Sequence, residues 1–232
     1  MANPVVVIGA TRGTGTEVVR ALVQQGRPVR VVARNLAKAR ALFGQSVEVF
    51  EVDLARPTST LDDALRGAAG VVFTAGVPPG FASGAQLRAV DFGGVAATVE
   101  AAKRASFCNR IVYLTTMGVH RRTWLIRVLD VIKWNILHWR AEAERALRDS
   151  GLDVVIVRAG LLTNAPAGSA LDLAEGDRPV GLSTRVARVD VAQVLLTALD
   201  DAHSARDISV FAKPGAVMRP IALPSRDGSP RP

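Results

Sequence analysis

The chain has 232 residues, 49% of them hydrophobic and 22% charged, with a formal net charge of +8. That apolar share is ample for one well-buried core and excludes a disordered or fibrous chain. No uninterrupted apolar run approaches the roughly 20 residues of a membrane helix, and the opening Met-Ala-Asn-Pro-Val lacks the basic-then-apolar layout of a signal peptide. A soluble, cytoplasmic protein with no stable membrane insertion is expected. Its single cysteine, Cys108, can form neither an internal disulfide nor a Cys-based metal site. The basic balance attracts anions, but the arginines are dispersed and not interleaved with aromatics, so no nucleic-acid partner is expected.

In chain order, Pro4 to Gly9 is a run of Val and Ile without alternation, as a strand buried on both faces of a parallel sheet reads. Similar runs are Val29–Ala33, Val47–Val52, Gly70–Thr74, Arg110–Leu114, Asp153–Val157 and, more weakly, Asp207–Phe211. Helical patterns fall between them at Thr14–Gln25, Leu36–Phe43, Ser59–Arg66, Gln86–Ala105, Trp124–Ser150 and Val189–Asp201. This strict alternation predicts an α/β fold: a doubly wound, mostly parallel sheet of the Rossmann type in a single domain over 1–212. From Lys213 to Pro232 Pro, Gly, Ser and Arg dominate, which predicts a flexible tail.

The first strand ends in Gly9-Ala10-Thr11-Arg12-Gly13-Thr14-Gly15, and an amphipathic helix follows. Small residues there let the backbone approach a pyrophosphate, and the free N–H groups of the helix start favour its charge. Gly9, Thr11, Arg12, Gly13, Thr14 and Gly15 are therefore candidate cofactor ligands, set against a plain tight turn. Where an NAD site carries an acid at the end of the second strand, this chain reads Ala33-Arg34-Asn35. An arginine fork suits a 2′-phosphate, which favours NADP(H), with Arg12 within reach of the same group.

The GATRGTG opening, VVARNLAKARAL after the second strand, Asp53-Leu54, Thr74-Ala75-Gly76 and RAEAERALRDSGLDVVIVRAG resemble the atypical short-chain dehydrogenase/reductases. The resemblance is to their NAD(P)H-binding branch, which is similar to biliverdin reductase B/flavin reductase and to NmrA-like regulators. It implies that Asp53 and Leu54 flank the adenine, Thr74, Ala75 and Gly76 line the ribose side, and the backbone near Ala159 faces the nicotinamide; Thr115 is a further candidate cofactor ligand. Where the branch commonly has glycine, this chain has Arg12. Superfamily members also pair a Ser or Thr after the fifth strand with Tyr-xxx-Lys on the next helix. Tyr113 is the one tyrosine, and the position four residues on is Met117. Matching puts Ile136 at the tyrosine position, Arg140 at the lysine position and Thr116 at the serine position. Thr116 and Arg140 are the catalytic candidates. Their plainer roles are a backbone cap for Thr116 and, for Arg140, an i,i+4 pair with Glu144 on a solvated face that also pairs Glu144 with Arg148.

His120, His138 and His203 show no ligand spacing, so no metal is expected. All three tryptophans lie within 121–139, where Arg127, Asp130 and Lys133 recur every third residue. This helix either packs on the sheet and walls a substrate pocket, or presents a face to a second subunit or protein partner. Two functions fit. One is an NADP(H)-dependent reductase passing hydride to a small flat conjugated acceptor (flavin, quinone or carbonyl) beside Val77–Phe81 and Trp124. The other is a catalytically silent NADP(H)-binding regulator or assembly factor.

Overall fold

The computed structural model describes residues 2–77, 83–120, 136–181, 183–213 and 220–226. All seven expected strands form, as β1 (Val5–Ile8), β2 (Val29–Ala33), β3 (Glu48–Glu51), β4 (Gly70–Phe73), β5 (Arg110–Thr116), β6 (Val154–Ala159) and β10 (Asp207–Ala212). Three short strands were not anticipated: β7 (Leu161–Thr163), β8 (Leu171–Glu175) and β9 (Arg185–Ala187). The sheet order is β3-β2-β1-β4-β5-β6-β10-β8, with β7 and β9 forming a separate parallel pair. Every pairing in the large sheet is parallel except β10 with the edge strand β8. The reversal of strand order between β1 and β4 opens a crevice at the carboxyl ends of the strands, where ligands of doubly wound sheets bind.

Helices α1 (Gly13–Gln24), α2 (Leu36–Phe43), α3 (Thr60–Leu65), α4 (Gly84–Leu87), α5 (Gly94–Arg104), α6 (Ile136–Arg148) and α7 (Arg188–Asp200) cover the two faces. Because side chains alternate along a strand, β1 divides its run between two cores. Val5 and Val7 pack with Val18, Leu22, Val191 and Leu195 of α1 and α7. Val6 and Ile8 pack with Leu61, Leu65, Val95, Val99 and Leu147 of α3, α5 and α6. A π-type turn, Arg88–Gly93, joins α4 to α5 within the single helix expected there. Such turns concentrate at functional sites because they re-aim side chains.

Residues 220–226 are packed against the domain: Leu223 is 2% exposed, Ala205 donates to the Pro224 carbonyl and Arg226 to that of His203. The short Ile221-Ala222-Leu223 run between two prolines carries no periodicity, so its packing is not marked in the sequence. The Trp-rich segment falls mostly outside the described residues, with Trp124 and Trp134 among those not described, as do 78–82 of the expected acceptor wall.

Candidate dinucleotide-binding site

The glycine loop is shaped by what its neighbours leave no room for. Gly9 has φ +89, and a Cβ on it would overlap the backbone N of Ala75. A Cβ on Gly15 would overlap the Gly9 carbonyl oxygen and stand 2.5 Å from Thr74 Oγ1. Gly15 is thus the close-packing glycine of helix on strand, while Gly9 lets the loop lie against the end of β4. Thr74 ties the two strands together, its hydroxyl donating to the Ile8 carbonyl at 3.0 Å.

At the start of α1, the preceding residue, Arg12, offers no side-chain acceptor to the first backbone N–H groups, and the first turn carries no acid. Two other helices are capped by side chains: Asn35 caps α2 by accepting from Lys38 N, and Ser83 with Gln86 forms a reciprocal capping box on α4. An uncapped, positively polarised helix end on a glycine loop fits a pyrophosphate. A cleft of about 260 Å³ runs from this loop across the sheet edge. It is lined by Gly9, Thr11, Arg12, Ala33, Arg34, Asn35, Lys38, Asp53, Leu54, Thr74, Ala75, Gly76 and Val77, among others. Nine of the expected cofactor residues are therefore together in one cleft. Gly13 and Thr14 line an adjoining one, with Arg12, Thr74, Leu114, Leu162, Asn164 and Arg188.

The cationic end of the main cleft is formed by Arg12, Arg34 and Lys38. Arg12 reaches across to hydrogen-bond the Gly76 carbonyl. Burial, and then the like charge of Arg34, hold its guanidinium below the usual arginine range, while Asp91 opposes them. Among the described residues the Arg34 and Lys38 side chains make no hydrogen bond or ion pair, so their charges stay available to a ligand. Asp53 is exposed and its carboxylate accepts from Ala55 N, which steadies the turn after β3. Leu54 packs on Gly94 of α5, where an added Cβ would stand 3.1 Å away.

The expected catalytic residues lie in neither of these cleft linings. Alternation along β5 sends Leu114 and Thr116 toward one core and Tyr113 and Thr115 toward the other. Tyr113 is buried edge-on against Phe73, and burial pushes its hydroxyl far above the ordinary tyrosine range. Thr116 is half-buried at the strand end, level with Ala159 of β6. Ala159 itself is 1% exposed and its carbonyl accepts from Met117 N. Strand β6 runs two residues past Val157, and the chain reaches the adjoining cleft only at Leu162.

Two helix-face expectations are corrected. Arg140 pairs with Asp91 of the π-type turn at 3.4 Å rather than with Glu144. Glu144 is fully buried and receives Arg158 of β6 at 3.1 and 2.6 Å, His120 at 2.8 Å and Arg148 at 3.1 Å. Asp207 completes the network on Arg158 and Arg148. This face of the helix meets β6, which i,i+4 spacing cannot disclose. His138 and His203 are exposed, and among the described residues no group of His, Cys, Asp or Glu could hold a metal. No described helix is long and apolar enough to cross a membrane. Trp139, the described tryptophan, packs near Phe92 and under the Arg88 guanidinium.

Asp91 and Arg188 were missed in the sequence. Asp91 is 3% exposed, accepts from Val77 N at 3.1 Å and pairs with Arg140, and its carboxyl is raised by burial against the pull of that arginine. A Cβ on Gly76 would stand 3.3 Å from Asp91 Oδ1 and 4.0 Å from Arg140 Nη2, so this pair braces the cleft wall from behind. An aspartate between Ala89-Val90 and Phe92 was the available signal.

Residues 9–202 match the NAD(P)H-binding family, across most of the chain. The chain belongs to that family. An uncharacterised chloroplast protein of Arabidopsis thaliana is 34% identical over 218 residues, covering 84% of this chain and 65% of its own. The photosystem II assembly factor Ycf39 of Cyanophora paradoxa is 29% identical over 156 residues, covering 66% of this chain and 44% of its own. The chain thus spans less than two thirds of the length of these curated relatives. Two solved structures share the fold. ChuY, an anaerobilin reductase of Escherichia coli O157:H7, superposes with a TM-score of 0.74 at 22% identity, covering 92% of this chain and 98% of its own. A short-chain dehydrogenase/reductase of Veillonella parvula in complex with NADP superposes with a TM-score of 0.72 at 19% identity, covering 95% and 100%.

Proposed function

We propose that this chain is an NADP(H)-dependent reductase of the atypical short-chain type, which reduces a flat conjugated acceptor without a Tyr-Lys pair. The carrying observation is the gathering of Arg12, Arg34 and Lys38 around one cleft, with arginine at the end of β2 where an NAD site holds an acid. Two cations without a partner among the described residues and the Arg12 fork suit a 2′-phosphate, and Asp53 is committed to its own turn. The NADP complex of the Veillonella neighbour and the reductase name of ChuY are in keeping with this reading.

The residues fit the cofactor: an uncapped α1 start, glycines where any Cβ would collide, and a cationic ribose end. Bound there, the reduced nicotinamide supplies a hydride. The protein's part is to bind and orient. Gly13 and the start of α1 hold the phosphates, Leu114 and Leu162 exclude water beside them, and Arg140, fixed by Asp91, places a positive charge behind the cleft wall. Thr116 is offered as a hydrogen-bond donor to an acceptor oxygen. A delocalised acceptor either holds negative charge or takes its proton from water, so the buried Tyr113 is not needed.

Side-by-side titration with NADPH and NADH tests this. The unsubstituted protein binds NADPH the more tightly, and Arg34→Ala weakens NADPH by roughly tenfold or more while sparing NADH. Equal affinity for both nucleotides counts against the NADP assignment. The assembly-factor name of a relative supports a second reading, a nucleotide-binding regulator without turnover. NADPH consumption with flavin and quinone acceptors separates the two: a regulator oxidises NADPH no faster than buffer does. If Thr116→Ala and Arg140→Ala both leave that consumption unchanged, those two residues are not catalytic.

A further inference from the structure

We infer that Arg188 clamps the cofactor's pyrophosphate, reaching the glycine loop beside Gly13. Helix α7 begins at Arg188, whose guanidinium lies against the loop: a Cβ built on Gly13 would stand 3.4 Å from Arg188 Nε. Arg188 is a poor choice for that position on local grounds, because a cation in the first turn opposes the helix dipole. The preceding residue, Ala187, provides no side-chain cap. The acid of that turn, Asp190, is turned away and accepts from Gly168 and Ser169 N–H groups at 3.0 and 3.3 Å.

Two uncapped helix starts, those of α1 and α7, therefore meet at one cleft of about 380 Å³, with Arg12 and Arg188 in its lining and no acidic residue. Arg188 is steadied by one bond, Nη1 to Asn164 Oδ1 at 2.7 Å. Its remaining N–H groups have no partner among the described residues. Thr14 supplies an independent observation. It lines the same cleft, is 5% exposed, and its buried hydroxyl has no hydrogen-bond partner among the described residues. Such concentrated positive potential and an unsatisfied donor beside the loop call for a dianion. Position selects the pyrophosphate over the ribose phosphate, because Arg34 and Lys38 line the neighbouring cleft and not this one.

The inference rests on the cofactor reading above, and calorimetric titration of NADPH, NADH and adenosine 2′-monophosphate keeps the two separable. Adenosine 2′-monophosphate carries the ribose phosphate but no pyrophosphate. Arg188→Gln is expected to weaken NADPH and NADH alike, by about tenfold to a hundredfold, and to leave adenosine 2′-monophosphate within twofold. Arg188→Lys keeps the charge without the fork and should fall between. If Arg188→Gln binds NADPH as the unsubstituted protein does, the inference fails while the cofactor reading stands. Unchanged NADPH affinity with a raised KM for an anionic acceptor assigns Arg188 to the acceptor and also overturns it. Equal weakening of all three ligands marks a general loss of the site and counts against the clamp. If the unsubstituted protein binds no nucleotide, both readings fall together.

Discussion

Arg12 and Arg34 bring like charges to one cleft, which is unfavourable until an anion arrives. Arg12 relieves part of this by donating to the Gly76 carbonyl across the cleft, a bond that a ligand phosphate can replace. Gly15 is the residue least able to change. Alanine there overlaps the Gly9 carbonyl, and the helix cannot withdraw without opening the core, so Gly15→Ala is expected to cost about 1–3 kcal/mol, read by denaturant unfolding. Asp91→Ala leaves Arg140 without its partner and Val77 N without its acceptor, which should destabilise by about 1–3 kcal/mol and lower nucleotide affinity by loosening Gly76. The glycine loop and Arg34 were legible because their spacing is local. Asp91 and Arg188 were not, since each acts on a residue far along the chain.

At the scale of elements, helix α6 shows how a surface-like pattern becomes a core one. Glu144 reads as one member of an i,i+4 ladder, yet it is fully buried because α6 packs on β6 and presents that turn to Arg158. Removing one member strands the other charge in a low-dielectric interior. Glu144→Ala should therefore cost about 3–5 kcal/mol, far above the about 0.3–0.5 kcal/mol of an exposed helix pair, and thermal melting measures the difference. Replacing both Glu144 and Arg158 with apolar residues is expected to recover much of that loss. Strand β8 escaped sequence reading for a related reason. Four of its five residues are only partly buried at a sheet edge and Glu175 is exposed, so neither a solid apolar run nor clean alternation marks them.

Across the molecule, the ionic network links α6, β6 and β10 and gives the fold a pH dependence. Burial alone would raise the Asp207 carboxyl, but hydrogen bonds and charge from Arg148 and Arg158 hold it below the usual range. A depressed folded pKa means that the unfolded chain takes up the proton first. The stabilisation is fully present above about pH 4, the unfolded value, and is lost as pH falls through the folded one. Asp207→Asn should flatten the acid limb of the stability profile below about pH 4 while lowering stability at pH 7, as urea unfolding across pH would show. A variant whose acid limb matches the unsubstituted protein would contradict this assignment.

By itself the sequence determined the architecture and the place of the phosphate loop. Continuous Val and Ile runs separated by amphipathic stretches have few compact solutions, and glycine spacing between a buried strand and a helix is a local property. Tertiary structure alone decided which charges meet. It turned Arg140 to Asp91, drew Glu144 under the sheet, brought Leu223 back to the domain and set Arg188 beside Gly13. These contacts join residues 14 to 175 positions apart, and pattern within one element carries no information about the element packed against it.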